Sequence, residues 1–275
     1  MGRWFEMTEE DLKASWDIHW RWEWLINNEW PTDRLLDSHA ARSVEHLAPL
    51  LGDLGVRRVL DVTCGFGLKS ILLAGKGFEV CGSDISAVAI ERAHRLAQRE
   101  GLNVELKEAP WSRVDQAWGR ERFDCVLCDA LSWTPTEAIL SRACASFWKV
   151  LGANGVLVWS GAPVGEPDRD SEELALETYR GKPAFEAHGP WRLANGQSVL
   201  RIVSRELDGE AVVVHRAYLA PQGESVALEV SSLPEPTCWS WSRMWGILAA
   251  AGFSSSETVE SRLGTERRRH NVTRK

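Results

Sequence analysis

Short β-rich runs alternate with helical runs through the middle of the chain, between residues 56 and 163. In order, the runs are RRVLDV, LKSILLAGK, FEVCGSD, SAVAIERAHRLAQREG, NVELKEA, FDCVLCDA, PTEAILSRACASFWKVLG and GVLVWSGAP. Such an alternation is typical of a parallel sheet with helices on both faces. Glycines such as Gly77, Gly101 and Gly152 follow the helical runs, where they commonly end helices. The pattern predicts an α/β fold.

The pattern changes after Pro163. SVLRIVSREL and EAVVVHRAYL flank Asp208-Gly209, a hairpin signal, and ESVALEV follows, which predicts an antiparallel meander of three strands. The chain then returns to a helix, WSWSRMWGILAAAGF, and a last strand, SSSETVE. We therefore expect one compact unit with four segments: a helical cap over residues 1–55, an α/β core over 56–163, an antiparallel elaboration over 164–235, and a final helix and strand with a basic tail over 236–275.

Composition narrows the class of protein. Of 275 residues, 44% are hydrophobic and 26% are charged, and no apolar run reaches the roughly 18 residues that a membrane helix needs. The first residues, MGRWFEMTEEDL, carry no secretory signal, so we expect a cytoplasmic protein without membrane contact. A net charge of −7 disfavours nucleic acid as a partner. We expect the basic tail TERRRHNVTRK to be a solvated, frayed terminus; the oligomeric state stays open, with a homodimer as one alternative.

The cysteines do not indicate a disulfide framework or a metal site. Six of them are spread along the chain without a secretory context, so we expect reduced thiols. Cys125 and Cys128 lie three residues apart on a predicted strand, where such positions point to opposite faces. Two ligands cannot converge from there, and we expect no metal.

The stretch VLDVTCGFGLKSILLAGKGFEVCGSDIS contains the main candidate site. A strand ends at Asp61, a turn with Gly65 and Gly67 opens a helix, and a second strand ends at Asp84. Glycines let the backbone approach a ligand closely, and an acid at the end of the second strand can accept both ribose hydroxyls. This arrangement predicts an adenosine-binding site.

The charge of the turn selects among adenosine cofactors. A dinucleotide-binding turn would have a third glycine where this chain has Ser70. Asp61 would repel a pyrophosphate, whereas it suits the ammonium group of S-adenosylmethionine, either directly or through water. The predicted cofactor is S-adenosyl-L-methionine, with S-adenosyl-L-homocysteine as product. The alternative for Asp61 is a carboxylate that only organises the turn.

These motifs resemble those of class I S-adenosylmethionine-dependent methyltransferases. VLDVTCGFG is similar to the first motif of the family, GSDIS to the second, FDCVLCDALSW to the fourth-strand motif, and LAAAGF to a common ending before the last strand. Within the family, DVTCGFGLKSILLAGKGF and EAPW at residues 108–111 are most like the glycine and sarcosine N-methyltransferase branch. The resemblance implies a Rossmann-like fold: a mostly parallel central sheet flanked by helices, an N-terminal helical lid, and an antiparallel β elaboration after the fifth strand.

The resemblance also implies which residues bind the cofactor: Asp61, Gly65, Gly67, Asp84, Ile85, Ala109, Trp111, Cys128, and Arg34 or Arg42 for the methionine carboxylate. Two departures from the branch stand out: the first removes a side-chain contact beside the adenine, and the second concerns the substrate. Pro110 stands where the branch has Asn, and VWSGAPVGEP has no basic residue where the branch carries a His-Arg pair that grips a carboxylate. This departure argues against glycine as the substrate.

The segment WDIHWRWEWLINNEW, residues 16–30, holds five tryptophans. Trp16, Trp20 and Trp24 recur every four residues and would form one stripe on a helix, with Trp22 on the opposite side. The alternatives are hydrophobic packing and an aromatic wall that attracts an amine or the sulfonium. As a lid, the segment would bring indoles to the substrate, and the candidate substrate-binding residues are Trp20, Trp24, Trp30 and Trp133.

Methyl transfer from a sulfonium demands little of the protein beyond alignment and exclusion of water. A base is needed only to take a proton from the acceptor. Asp129, just beyond the fourth strand, is the first candidate, with a turn or capping role as its alternative; His19 is the second candidate. We predict a methyltransferase acting on a small molecule, with an amine favoured over a hydroxyl. The alternatives are a protein or nucleic-acid methyltransferase and a non-catalytic cofactor-binding regulator.

Overall fold

The computed structural model describes residues 7–26, 39–131, 134, 136–160, 176–177, 179–208, 211–235, 239–263 and 266–275. The chain divides into two compact units. The first contains Met1–Pro31, Ser132–Pro135 and Pro163–Ser240, and the second contains Thr32–Leu131, Thr136–Ala162 and Trp241–Lys275. The predicted cap, residues 1–55, is therefore shared between the two units. None of the helices in the described ranges combines the length and apolar content that a membrane span requires.

The helices and strands are numbered here in chain order. The helices are α1 (Glu9–Ile26), α2 (His39–Asp53), α3 (Leu68–Gly75), α4 (Ala87–Arg99), α5 (Val114–Trp118), α6 (Glu137–Val150) and α7 (Trp241–Ala250). The strands are β1 (Arg58–Asp61), β2 (Glu79–Asp84), β3 (Glu105–Glu108), β4 (Phe123–Cys128), β5 (Leu151–Trp159), β6 (Phe185–Arg192), β7 (Ser198–Asp208), β8 (Ala211–Gln222), β9 (Ser225–Pro234), β10 (Ser255–Leu263) and β11 (Glu266–Arg274). A short 3₁₀ turn spans Trp111–Arg113.

The second unit is built on a sheet whose described strands lie in the order β10-β11-β5-β4-β1-β2-β3. Strands β1 to β5 pair in parallel, and β11 runs antiparallel to β5. The chain moves outward from β1 through β2 to β3, then returns to place β4 on the other side of β1. Ligands of such sheets bind at this switch point, outside the carboxyl ends of the strands. The predicted mostly parallel α/β sheet is confirmed.

Apolar side chains cover this sheet, and its central strands β1, β4 and β5 are rich in buried hydrophobic residues. One cluster joins α2 and α3 to the central strands through residues such as Leu47, Leu51 and Leu73. A second cluster joins α4 to β3, with Ile90 and Leu96 among its buried members. This packing holds the carboxyl ends of β1, β2 and β4 in place.

The C-terminal segment is an inner strand, and the expectation of a frayed tail is wrong. Strand β11 lies between β10 and β5, with Val272 and Thr273 fully buried. The Trp159 Nε1–H donates to Thr273 Oγ1 over 3.0 Å. The basic run misled the prediction because its arginines alternate, with Arg267 and Arg269 pointing to solvent, while the following residues enter the core.

The first unit is an antiparallel sheet, β6-β7-β8-β9, packed against α1. The predicted meander of β7, β8 and β9 is confirmed. Strand β6 was not predicted, since its sequence, FEAHGPWR, has no clear alternation and contains Gly-Pro, and a register irregularity interrupts it between His188 and Trp191. Helix α1 begins after Thr8, whose Oγ1 accepts from the Asp11 N–H over 3.2 Å, a hydrogen bond typical of a helix N-cap.

Candidate cofactor-binding and active site

The turn between β1 and α3 requires glycine for two reasons. Gly65 and Gly67 have φ values of 51° and 77°, in the left-handed region that favours glycine. A Cβ atom at Gly67 would also lie 3.1 Å from the Ala93 Cβ of α4. The Cys64 N–H donates to the Ser83 carbonyl over 3.1 Å, so the turn is bound to the end of β2.

Asp84 completes this arrangement at the carboxyl end of β2. Its Oδ2 accepts from the Gly65 N–H and its Oδ1 accepts from the Ser86 N–H, each over 3.0 Å. The side chain is 9% exposed. The carboxylate therefore fixes the glycine turn beside the start of α4, and the acid and the turn suit the adenosine that the sequence predicted.

Asp61 is fully buried and bonded within the turn. Its Oδ1 accepts from the Thr63 N–H over 3.1 Å, and its Oδ2 accepts from the Ser70 hydroxyl over 2.8 Å. These bonds explain why Ser70 stands where a dinucleotide-binding turn has its third glycine. Both carboxylate oxygens of Asp61 thus hold the turn together, and its predicted role toward the cofactor ammonium stays a prediction.

Asp129 is ion-paired with Lys69, a residue that sequence reasoning missed. The Ser160 hydroxyl donates to Asp129 Oδ1, and the Asp129 N–H donates to Thr63 Oγ1, each over 3.1 Å. Burial lowers the pKa of Lys69, while the negative charge of Asp61 opposes that shift. Its position could have identified Lys69 as a site residue, because it is the second residue of α3, which begins directly after the glycine turn.

Three further predicted residues lie around the ends of β2 and β3. Ala109 is 2% exposed, and its N–H donates to the Asp84 carbonyl over 2.9 Å. The Trp111 Nε1–H donates to the Val62 carbonyl over 2.8 Å. Ile85 follows Asp84 directly and is half-buried. Ala109, Trp111 and Ile85 are thus connected by sequence or hydrogen bonds to the residues of the glycine turn and Asp84.

Cys128 differs from this group because its side chain is fully buried at the end of β4. Burial raises the pKa of its thiol far above the ordinary value. The thiol is therefore neutral and shielded, which leaves the backbone as the part of Cys128 that a ligand could contact. Among the described residues, no group of three or more His, Cys, Asp or Glu side chains could hold a metal.

The remaining predicted residues belong to other segments of the chain. Arg42 is exposed on α2, and Arg34, Trp30 and Trp133 lie outside the described residues. His19, Trp20 and Trp24 belong to α1, in the first unit. Their predicted roles in catalysis and substrate binding stay predictions.

Within the first unit, the tryptophans of α1 are mainly packing residues. Trp22 stacks on Tyr218, with ring centroids 5.7 Å apart, and its Nε1–H donates to Glu229 Oε2 over 2.8 Å. Trp16 and Trp20 stack on each other over 5.7 Å, and Trp24 is 6% exposed. Trp22, on the side away from the predicted stripe, thus packs α1 against Tyr218 of β8.

His19 lies in a polar cluster of the same unit. Its Nδ1 is 3.3 Å from the Tyr218 hydroxyl, which donates to Glu23 Oε1 over 3.1 Å. Burial, with help from the positive charges of Arg216 and Arg201, lowers the pKa of His19 to about 3. The imidazole is therefore neutral at pH 7.

The parallel sheet with its glycine turn and Asp84 defines a Rossmann-like domain. Comparison with known proteins names its family: residues 59–155 match the Methyltransferase domain family. The glycine/sarcosine N-methyltransferase of Parasynechococcus marenigrum (strain WH8102) is 33% identical over 146 residues, which cover 51% of each chain. That of Aphanothece halophytica is 32% identical over 130 residues, 46% of this chain and 49% of the relative. The chain thus spans about half the length of these relatives.

Solved structures show the same fold over most of the chain. The sugar N-methyltransferase KedS8 from Streptoalloteichus sp. has a TM-score of 0.63 at 23% identity, covering 86% of this chain and 88% of that one. An S-adenosylmethionine-dependent methyltransferase from Clostridium acetobutylicum has a TM-score of 0.65 at 13% identity, covering 94% and 98%. Residues 59–155 thus belong to a methyltransferase domain, with the fold of the solved S-adenosylmethionine-dependent methyltransferase. The predicted family, fold class, enzyme class and cofactor are confirmed for this domain.

Proposed function

We propose that the chain transfers a methyl group from S-adenosylmethionine to a small molecule, with an amine nitrogen as the acceptor. The observation that carries this proposal is the 33% identity to a glycine/sarcosine N-methyltransferase over 146 residues. A hydroxyl acceptor is the alternative, since ubiquinone biosynthesis O-methyltransferases also match, at 34% identity over 107 residues in one case.

The proposed cofactor contacts come from the second unit. Asp84 would accept hydrogen bonds from the ribose hydroxyls, and the backbone of the glycine turn would lie close to the cofactor. Ala109 and Trp111 would border the adenine. When bound, the cofactor supplies a methyl group activated on a sulfonium. The protein's contribution is then to align the acceptor and to exclude water.

We propose that Asp129 accepts the proton that the acceptor amine loses. An amine that arrives as an ammonium ion must lose a proton before its lone pair can attack. Lys69 and Ser160 both contact the Asp129 carboxylate, so the acid is held in one orientation, with a third of its side chain exposed. His19 is the second candidate, but its lowered pKa makes it a weaker base than an ordinary histidine.

Calorimetry tests the cofactor part of this proposal. We expect wild-type protein to bind S-adenosylmethionine and S-adenosylhomocysteine, with NAD as a negative control. Asp84→Ala should lose at least about tenfold in affinity, the order of effect when a charged hydrogen-bond acceptor is removed. Glu79→Gln, at the exposed start of the same strand, is the matched control. Binding of NAD, or unchanged binding by Asp84→Ala, would contradict the proposal.

Acceptor screening tests the substrate part. Release of S-adenosylhomocysteine would be measured with matched panels of small primary amines and of the corresponding alcohols, and with protein and nucleic-acid fractions. We expect turnover with amines. Turnover with alcohols alone would mean that the methyl-accepting atom is oxygen. Turnover only with a macromolecule would overturn the small-molecule assignment.

A further inference from the structure

Two arginines and a serine lie close together on one face of the antiparallel sheet in the first unit. Arg216 of β8 is directly opposite Ser231 of β9, and Arg201 of β7 is directly opposite Tyr218 of β8. Directly paired residues share a face, and so do residues two apart on a strand. Arg216 and Tyr218 are two apart, so Arg201, Arg216 and Ser231 share the face on which Trp22 packs.

Each of the three side chains has a buried polar atom without a hydrogen-bond partner: Arg201 Nε, Arg216 Nη1 and Ser231 Oγ. Ser231 is fully buried. Buried polar atoms are nearly always hydrogen-bonded in proteins, and leaving one without a partner costs about 1–3 kcal/mol. Three such donor groups on one face indicate a missing acceptor.

The charges on this face are also unbalanced. Arg201 Nη1 pairs with Glu23 Oε1 at 2.5 Å, and Glu23 also accepts from the Tyr218 hydroxyl. Glu235, the other carboxylate that acts on Arg216, is held by two cations, Lys182 at 2.8 Å and Arg205 at 3.3 Å. In the part of the chain that the structure describes, Arg216 makes no ion pair. Among the described residues, its positive charge therefore has no counterion of its own.

We propose that Arg216, Arg201 and Ser231 form a binding site for an oxyanion, the carboxylate or phosphate group of a small molecule. Guanidinium groups present planar N–H donors that match the oxygens of either group, and a hydroxyl adds a third donor. An anion here would satisfy the three buried donors and supply the counterion of Arg216. Binding requires no methyl transfer, so the site can be measured without cofactor.

The probes are inorganic phosphate and sodium acetate, titrated at constant ionic strength with sodium chloride as the reference salt. Thermal denaturation and calorimetry should show saturable binding of at least one probe to wild-type protein. Binding of phosphate alone assigns a phosphate ligand, and binding of acetate alone assigns a carboxylate. Arg216→Met should weaken binding at least tenfold, and Ser231→Ala should weaken it less. Arg192→Met, at an exposed position on β6, should bind like the wild type.

A second measurement keeps the proposal falsifiable if anion binding is weak. Because the Arg216 charge has no ion pair, Arg216→Met should raise the Tm of the anion-free protein. A lower Tm would show that the guanidinium already has a structural partner and would overturn the proposal. Absence of saturable binding by both probes, or equal binding by wild type and Arg216→Met, would also overturn it.

Discussion

Lys69 and Asp129 form an ion pair that joins the start of α3 to the carboxyl end of β4. Their side chains are 12% and 34% exposed, so the cation is the more buried partner. Burial lowers the Lys69 pKa, and the negative charge of the buried Asp61 opposes this shift. The pair fixes the proposed proton acceptor at the edge of the sheet where ligands of this fold bind.

A double-mutant cycle should measure this pair. We expect Lys69→Met and Asp129→Asn to be coupled by about 1–2 kcal/mol in the free energy of unfolding, since the residues are in contact and partly buried. Urea denaturation of the four proteins gives the value. The exposed pair Lys76–Glu45 is the control, with a coupling of at most about 0.5 kcal/mol. Additive effects of the Lys69 and Asp129 substitutions would mean that the ion pair does not contribute.

Asp129→Asn should separate turnover from cofactor binding. Removing a proton acceptor typically costs about 10²–10⁴-fold in rate, while the proposed cofactor contacts lie on other residues. We expect kcat to fall at least tenfold and the Kd for S-adenosylhomocysteine to change less than about twofold, judged against Asp53→Asn at an exposed position. If kcat is unchanged, Asp129 has no part in proton transfer.

His19 should make stability depend on pH. Its folded-state pKa is lowered to about 3 from 6.5, so between these values the unfolded chain binds a proton that the folded protein does not. Stability is therefore complete above pH 6.5 and is lost as pH falls, with a slope of at most about 1.4 kcal/mol per pH unit. His19→Gln should flatten the difference in unfolding free energy between pH 7 and pH 5. The exposed control, His94→Gln, should keep the wild-type difference; equal behaviour of the two variants would refute the assignment.

The inner position of β11 predicts a stability cost at Val272. This side chain is fully buried in the cluster with α2 and α3, so Val272→Ala should lower the unfolding free energy by about 2 kcal/mol. Arg269→Ala, on the same strand with its side chain 74% exposed, should change it by less than about 0.5 kcal/mol. Equal effects of the two substitutions in urea denaturation would support a frayed C-terminal tail instead of an inner strand.

The order of helices and strands in the α/β core was predictable because local sequence patterns determine it. Runs of β-branched residues, helical spacing and closing glycines act within about ten residues, which is the range over which propensity and turn chemistry operate. The same holds for Asp61, Gly65, Gly67 and Asp84, whose spacing along one strand-turn-helix-strand unit placed them together. Strand β6 escaped prediction because its pairing with β7, rather than its own pattern, makes it a strand.

Contacts between distant parts of the chain were decided only by the tertiary structure. Lys69 and Asp129 are 60 positions apart, and nothing in either local sequence shows that α3 and the end of β4 meet. The basic C-terminal run enters the sheet because β5 and β10 both offer strand edges to it. Trp22, which lies outside the predicted tryptophan stripe, stacks on Tyr218 of the antiparallel sheet. Local sequence sets which backbone form each segment prefers, whereas ion pairing, strand insertion and choice of packing face depend on burial against partners that only folding brings near.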